Sequence, residues 1–305
     1  MPEKTTLSSR ITSNDDGISL VDFLCSRFKY HDRDRWTGII LEGSVTVNGA
    51  AAKPERVLKK NDVVSYAVEL REPPVDTGIT ILHEEDSFLV AGKPGNLPSH
   101  ADDHDAARFP VKLVHRLDRE TSGIMVVGKT DSAHRVLVKQ FEEGTVEKEY
   151  HAVVRGAVAE DIFEVGGAIG PDGGSAVSIR KKVVPEGTPG SRTAFTRFEV
   201  IERYAGATLL RCLPATGRTN QIRVHLAHAG YPLAGDKLYG RSDDQFLEFV
   251  RRARQGLFNP LPWMEAPRHL LHAGRLSFSH PVTGERVSFE CPMPDDMKLF
   301  IEKNR

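Results

Sequence analysis

Three cysteines stand in 305 residues, and Cys25, Cys212 and Cys291 are far apart in the chain. So small and scattered a set, odd in number, argues against a disulfide framework and offers no CxxC zinc pair; a reducing cytoplasm is its natural setting. No apolar run approaches the roughly 18 residues needed to cross a bilayer, so no membrane partner is expected. The first residues, MPEKTTLSSRITSNDDG, are polar and mixed in charge, unlike a secretory signal. Neither sign of charge dominates: 41 Lys and Arg face 42 Asp and Glu, a formal net charge of -1. Residues 1–70 carry ten of each sign, which leaves 31 basic and 32 acidic residues in the remainder. A nucleic-acid partner would therefore have to be met by positive charge gathered on one face. There is no internal repeat and no low-complexity tract.

The chain has 39% hydrophobic and 27% charged residues, enough apolar material for a core, and its length suits one large domain plus a small one. Two prolines and a glycine in ELREPPVDTG, Glu69 to Gly78, interrupt two better-patterned regions. The expected division is an N-terminal domain over 1–70, a linker over 71–78 and a larger domain over 79–305. Upstream, Leu20, Phe23, Leu24 and Phe28 share a face and predict a helix over Ser19 to Lys29, with Ser19 as N-cap. A second helix is expected over Arg35 to Glu42, stopping at Gly43. Val45 to Asn48 and Asp62 to Val68 read as strands, and Asn48-Gly49 is a hairpin turn signal.

Downstream, strands are expected at Ile79 to Leu82, Phe88 to Ala91, Ile124 to Val127 and Glu149 to Arg155, and as a pair at Phe195 to Tyr204 and Thr208 to Leu213. Helices are expected at Asp131 to Glu143, stopped by Gly144, at Gln221 to Ala229 and at Phe246 to Gln255. Strands outnumber helices and neighbouring ones read as hairpins. The fold class is therefore α+β, with a mainly antiparallel mixed sheet.

Chemistry gathers in two segments. In VHRLDRETSGIMVVGKT, His115, Arg116, Asp118, Arg119 and Glu120 crowd together just before a buried strand. Such charges are costly to desolvate unless paired, which fits a site on a rigid scaffold and, taken alone, fits equally a polar turn with a salt bridge. In ATGRTNQIRVHLAHAGYPLAGDKLYG, Arg218 and Arg223 flank a loop-to-helix transition. An arginine there can pair with a distant carboxylate and hold it ionised, or simply face solvent.

Together these segments carry a specific resemblance. HRLDRETSG, then Lys148-Glu149-Tyr150, then GRTNQIRVHLAHAGYPLAGDKLYG resemble the RluA-type family of pseudouridine synthases. The likeness extends from ILHEEDSFLVAGKPGNLP, with Lys93-Pro94, to HAGRLSFSHPVTGERVSFECPMP, and so spans about residues 79–296. Residues 18–68 resemble more weakly the small α/β RNA-binding module named after ribosomal protein S-four. Asn61-Asp62 stands where that module usually has Gly-Asp, and Asp32 and Asp34 dilute its basic second helix.

The resemblance implies an isomerase that turns uridine into pseudouridine in structured RNA, with ribosomal RNA as first expectation and transfer RNA as second. The reaction is redox-neutral and intramolecular, so neither metal nor organic cofactor is expected. By resemblance Asp118 is the catalytic carboxylate; it either attacks the base or removes a sugar proton on a glycal route. Arg223 is its implied ion-pair partner, and Tyr150 stacks on the uracil and handles protons. The target must leave its stack; Arg116 fills the vacated space and contacts the backbone, while Lys93 and Lys148 serve phosphate contact or pocket structure. The family usually has His where this chain has Asn220, which predicts altered local geometry without loss of activity. A monomer in the cytoplasm is expected.

Two readings compete. A silent RNA-binding or assembly factor would keep the fold and drop the carboxylate chemistry, yet Asp118 and Arg223 are both kept. A metal-dependent hydrolase would use His225 and His228, or His269 and His272, but no HExxH or paired CxxC accompanies them. GAIGPDGG, Gly167 to Gly174, lacks both phosphate-loop signatures and reads as a glycine-rich turn.

Overall fold

The computed structural model describes residues 4–13, 15–28, 33–69, 75–99 and 112–305. Lys29, Asp32 and residues 70–74 of the expected linker region lie outside the described residues. The chain divides into two compact units, Met1–Glu72 and Pro73–Arg305.

The first unit runs β1 (Lys4–Arg10), α1 (Leu20–Arg27), α2 (Arg33–Leu41), β2 (Val45–Val47), β3 (Ala50–Ala51) and β4 (Val63–Glu69). Its antiparallel sheet has the order β1-β4-β2-β3. Ser19 caps α1 by accepting from Asp22 N, and the helix buries Leu20, Phe23 and Leu24. Phe28 closes that face against Trp36 and Tyr66, with ring centroids 5.9 and 4.9 Å away. Asn48 and Gly49 both take positive φ, 53° and 79°, the twist that a two-residue hairpin needs. Asn61 also sits at φ 74°. That backbone favours glycine and tolerates asparagine, whose small polar side chain escapes most of the steric penalty. The strand β1 was not expected: KTTLSSR carries almost no apolar alternation, and it pairs as an edge strand from Lys4 opposite Glu69 to Arg10 opposite Val63.

The second unit contains β5 (Thr80–Glu84), β6 (Phe88–Lys93), β7 (Lys112–Leu113), β8 (Ser122–Gly128), α3 (Asp131–Glu143), β9 (Glu147–Arg155), β10 (Ile162–Pro171), β11 (Lys181–Val184), β12 (Arg192–Arg203), β13 (Ala207–Pro214), α4 (Gln221–His228), α5 (Asp243–Arg254), β14 (Leu271–Ser279), β15 (Arg286–Glu290) and α6 (Asp295–Lys303). Its strands form one mixed sheet in the order β11-β10-β12-β13-β9-β14-β8-β6-β5, with β15 on β14 and β7 on β8. Only β14 and β8 run parallel among the described strand pairs. The fold is thus α+β with a mainly antiparallel sheet.

Local signals explain several boundaries. Thr130 caps α3 at Ala133 N, and Gly144 ends it in the left-handed conformation. A capping box between Ser242 and Gln245 starts α5 ahead of Phe246, where the apolar pattern had placed it. The reading of Gly167 to Gly174 as a turn is corrected: β10 continues to Pro171. Gly167 and Gly170 are there because Val183 and Val184 of β11 approach to within 2.9 Å of where a Cβ would lie. Among the described residues no helix is long and apolar enough to cross a membrane.

One row across the sheet places the chemistry. Gly123 of β8 pairs with Ala273 of β14, Ala273 with Tyr150 of β9, and Tyr150 with Cys212 of β13. Gly123 has φ 118°, and a Cβ on it would lie 2.2 Å from the Ala273 carbonyl oxygen. Gly123→Ala should therefore strain both backbone and contact, destabilising the second unit by about 2–4 kcal/mol; urea unfolding at neutral pH measures this, and an unchanged midpoint contradicts the row's importance.

Candidate active site

Asp118 lies on the short loop entering β8. Thr121 N donates to Asp118 O at 3.0 Å and closes the turn. Ser99 clamps the preceding residue from both sides: its Oγ donates to Leu117 O at 2.7 Å and accepts from Leu117 N at 3.0 Å. Leu117 is buried against Met125, Ala273 and Tyr150, so the loop is held from below by packing.

The charges crowded around Asp118 diverge once folded. His115 stacks on Phe141 with ring centroids 4.5 Å apart and accepts from Val126 N. Burial, with Lys148 nearby, pushes its pKa down to about 3, so it is a neutral structural imidazole. Arg119 Nε donates to Asn96 Oδ1 at 3.3 Å. Glu120 turns to the Lys237 ammonium and the His269 backbone N–H. Asp118 and Arg116 remain on the cavity side.

Arg223, in the first turn of α4, reaches Asp118 Oδ2 through Nη1 at 3.2 Å. Its stronger partner is a residue that sequence reasoning missed. Asp236 grips Arg223 in a two-point bond, Nε to Oδ2 at 2.7 Å and Nη2 to Oδ1 at 3.0 Å. The Asp236 side chain is 0% exposed and that of Arg223 12%. Burial opposes both charges, yet each overrides it for the other: Asp236 is held well below the ordinary aspartate range and Arg223 above the ordinary arginine range. Asp236 Oδ1 also accepts from Leu238 N and Tyr239 N at 2.8 and 2.9 Å. The signal for it was present: an acid inside the apolar PLAGDKLYG has to be paired if it is buried.

The loop from Thr216 into α4 is organised by buried Gln221. Its Oε1 accepts from Thr216 Oγ1 and Arg218 N, and its Nε2 donates to Phe195 O and Thr196 Oγ1. All four bonds of the amide are thereby used. Asn220, the residue at the family's usual histidine position, has φ 57° and contacts both Arg223 and Tyr239.

These elements enclose a cavity of ≈ 170 Å³. That is smaller than a drug-sized site and suits a single flat ring. Among the described residues that line it, Asp118 is the only carboxylate, against four cations: Arg116, Lys148, Arg218 and Arg223. Tyr150 lines it from β9; burial and then the Asp118 charge push its phenol up, so it stays a neutral donor. Lys148 reaches toward Thr216 O at 3.5 Å and is lowered by burial and by Arg218. Arg116 is exposed at the rim. The buried Lys93 amine donates to Pro94 O, Leu97 O and Arg119 O at 2.9, 2.7 and 3.1 Å.

Three of the four histidines in these pairs make hydrogen bonds within the fold. His225 Nδ1 meets Thr196 Oγ1, His269 Nε2 meets Thr121 Oγ1, and His272 bridges Ser122 Oγ and Cys291 O. Among the described residues no group of three or more His, Cys, Asp or Glu is placed to hold a metal ion.

The cavity is a small basic basin with one arginine-held carboxylate among its described lining residues, and the comparisons specify the class of enzyme. The family model of RNA pseudouridylate synthase matches residues 87–228. Ribosomal large subunit pseudouridine synthase C of Escherichia coli O157:H7 is 36% identical over 97% of this chain and 95% of its own. Ribosomal large subunit pseudouridine synthase D of Neisseria meningitidis is 36% identical over 88% of this chain and 73% of its own. Among solved structures, human RNA pseudouridylate synthase domain containing 1 superposes with a TM-score of 0.55 at 27% identity, over 72% of this chain and 86% of that one. The chain belongs to the RluA-type family of RNA pseudouridine synthases. It is an isomerase that converts uridine in RNA to pseudouridine.

Removing Asp236 leaves the Arg223 guanidinium buried with half its partners lost. Asp236→Asn should cost about 3–5 kcal/mol at neutral pH. Because the folded pKa of Asp236 lies below its ordinary value of 3.8, its stabilisation is complete above that value and is lost as pH falls below it. Denaturant midpoints of wild type and Asp236→Asn should therefore lie far apart at pH 7 and converge below about pH 4; a constant gap across that range contradicts the assignment.

Proposed function

We propose that this enzyme modifies ribosomal RNA of the large subunit, with Asp118 as its catalytic carboxylate. The observation that carries the chemistry is the one carboxylate among the described lining residues, tethered by Arg223 in a cavity that Tyr150 also lines. Arg223 orients Asp118 through Nη1 at 3.2 Å, which serves either route, whether the carboxylate attacks the uracil or removes a sugar proton. Tyr150 supplies an aromatic face for the detached base and a neutral hydroxyl beside it. A cavity sized for one ring retains that base while it rotates and re-forms its bond through carbon five. The site takes its base out of the helix, at a cost of a few kcal/mol; Arg116 at the rim occupies the vacated space and meets the backbone. Lys148 and Arg218 add positive charge where phosphate approaches.

The substrate class rests on the names of the relatives, which place theirs in the ribosomal large subunit. Transfer RNA is the second candidate. We assign RNA anchoring to the N-terminal unit, whose S-four-like pattern includes exposed Arg35, Lys53, Lys59 and Lys60. The enzyme acts as a monomer in the cytoplasm, without metal or organic cofactor.

The test uses RNA labelled with tritium at carbon five of uracil, in chelator. Wild type should release tritium from large-subunit ribosomal RNA and more slowly, if at all, from transfer RNA; the reverse preference would redirect the substrate. Asp118→Asn should lower turnover by at least about 1,000-fold with RNA affinity retained, and turnover near wild type would refute the carboxylate assignment. Arg116→Ala should weaken binding and reduce the slope of log affinity against log salt by about one; an unchanged slope removes its backbone role.

A further inference from the structure

Arg223 Nη1 has two hydrogens to give. One goes to Asp118 Oδ2 at 3.2 Å and the other to Asn220 Oδ1 at 3.0 Å. A guanidinium only donates, so the Asn220 atom facing it has to be the carbonyl oxygen. This fixes the amide, and Nδ2 then donates to the Tyr239 hydroxyl at 3.2 Å. Tyr239 is itself located by Lys181 N, which donates to its hydroxyl at 3.3 Å, and its ring lies 5.0 Å from the guanidinium carbon. With Asp236 holding the Nε–Nη2 edge, the guanidinium is fixed on three sides.

The backbone of Asn220 carries a second sign. It stands at the N-cap of α4, where an asparagine side chain ordinarily accepts from the first-turn N–H groups, and it makes no such bond. It also takes the left-handed conformation, φ 57°, which costs even asparagine something. The helix forgoes its cap and accepts strain, and what it receives in return is an amide aimed at Nη1.

We propose that Asn220 is a positioning residue of the isomerisation: its carbonyl oxygen takes one Nη1 hydrogen so that a single one is presented to Asp118. A neutral acceptor is required there. A carboxylate at 220 would compete with Asp118 for the guanidinium, and an imidazolium would set a second cation against it. The groups facing position 220 are Arg223 and, through it, Asp118 and Asp236, with the Tyr239 hydroxyl on the other side. The inference rests on Asp118 being the catalytic carboxylate.

The experiment compares single-turnover tritium release, RNA affinity and thermal unfolding for wild type, N220G, N220D, N220H and D118N, on large-subunit ribosomal RNA. Glycine keeps the positive φ without strain, so N220G removes only the amide. Its chemical rate should fall about tenfold while RNA affinity stays within about twofold. N220D should fall further. N220H should approach wild type near pH 8 and lose about tenfold by pH 5.5, an inflection that wild type lacks. A folded N220G and N220D with wild-type chemical rates, beside an inactive D118N, would overturn the proposal and leave the carboxylate standing. An active D118N would instead overturn the reading beneath it. Should N220G prove unstable, N220H decides alone, and a pH profile matching wild type sinks the inference.

Discussion

The Arg223 guanidinium is buried between two carboxylates, and much of the site is arranged to make that burial affordable. A lone buried cation of this size costs several kcal/mol. Asp236 neutralises it with a two-point bond from a fully buried position, and is itself held by two backbone N–H groups. That leaves the Nη1 edge of Arg223 to reach a second carboxylate, the partly exposed Asp118. The buried acid carries the structural load, and the partly exposed one is tethered at one point in the wall of the cavity.

Holding the two halves of this arrangement together is a matter of sheet register. Asp118 and Arg223 are 105 residues apart. They meet because β8, β14, β9 and β13 lie side by side, and because a glycine at 123 lets β14 approach where any side chain would collide. From β13 the chain passes through a loop pinned by Gln221 into α4, which lays Ile222 and Leu226 on β9 and β13 and presents Arg223.

A net charge of -1 is compatible with an RNA substrate because the lining of the cavity is not representative of the chain. Among its described residues four cations face one acid, while many other charges pair locally, as Arg203 does with Asp161 and Arg211 with Glu149 and Glu199. Focusing positive charge in a cleft attracts a polyanion more effectively than a diffuse excess.

Local signals were readable in the amino-acid order. Ser19 and Thr130 as caps, Gly144 as a stop, the Asn48-Gly49 turn and the apolar faces of α1 and α3 each depend on residues within a few positions of one another. The two charged segments, and the family likeness they carry, were equally visible. Elements whose stability comes from distant neighbours were not: β1 is polar and exists by pairing with β4, and the glycines of β10 are explained only by β11 crossing close to them. The same holds within the site. The family likeness singled out Asp118 and Arg116 among five neighbouring charged residues, but nothing in their local order separates His115 stacked on Phe141 or Glu120 bound to Lys237 from Asp118 at the cavity. Asp236, Asn220 and Tyr239 acquired roles only when the fold brought Arg223 among them, because hydrogen-bond geometry and the cost of burying a charge are properties of the assembled surroundings and not of the order of residues.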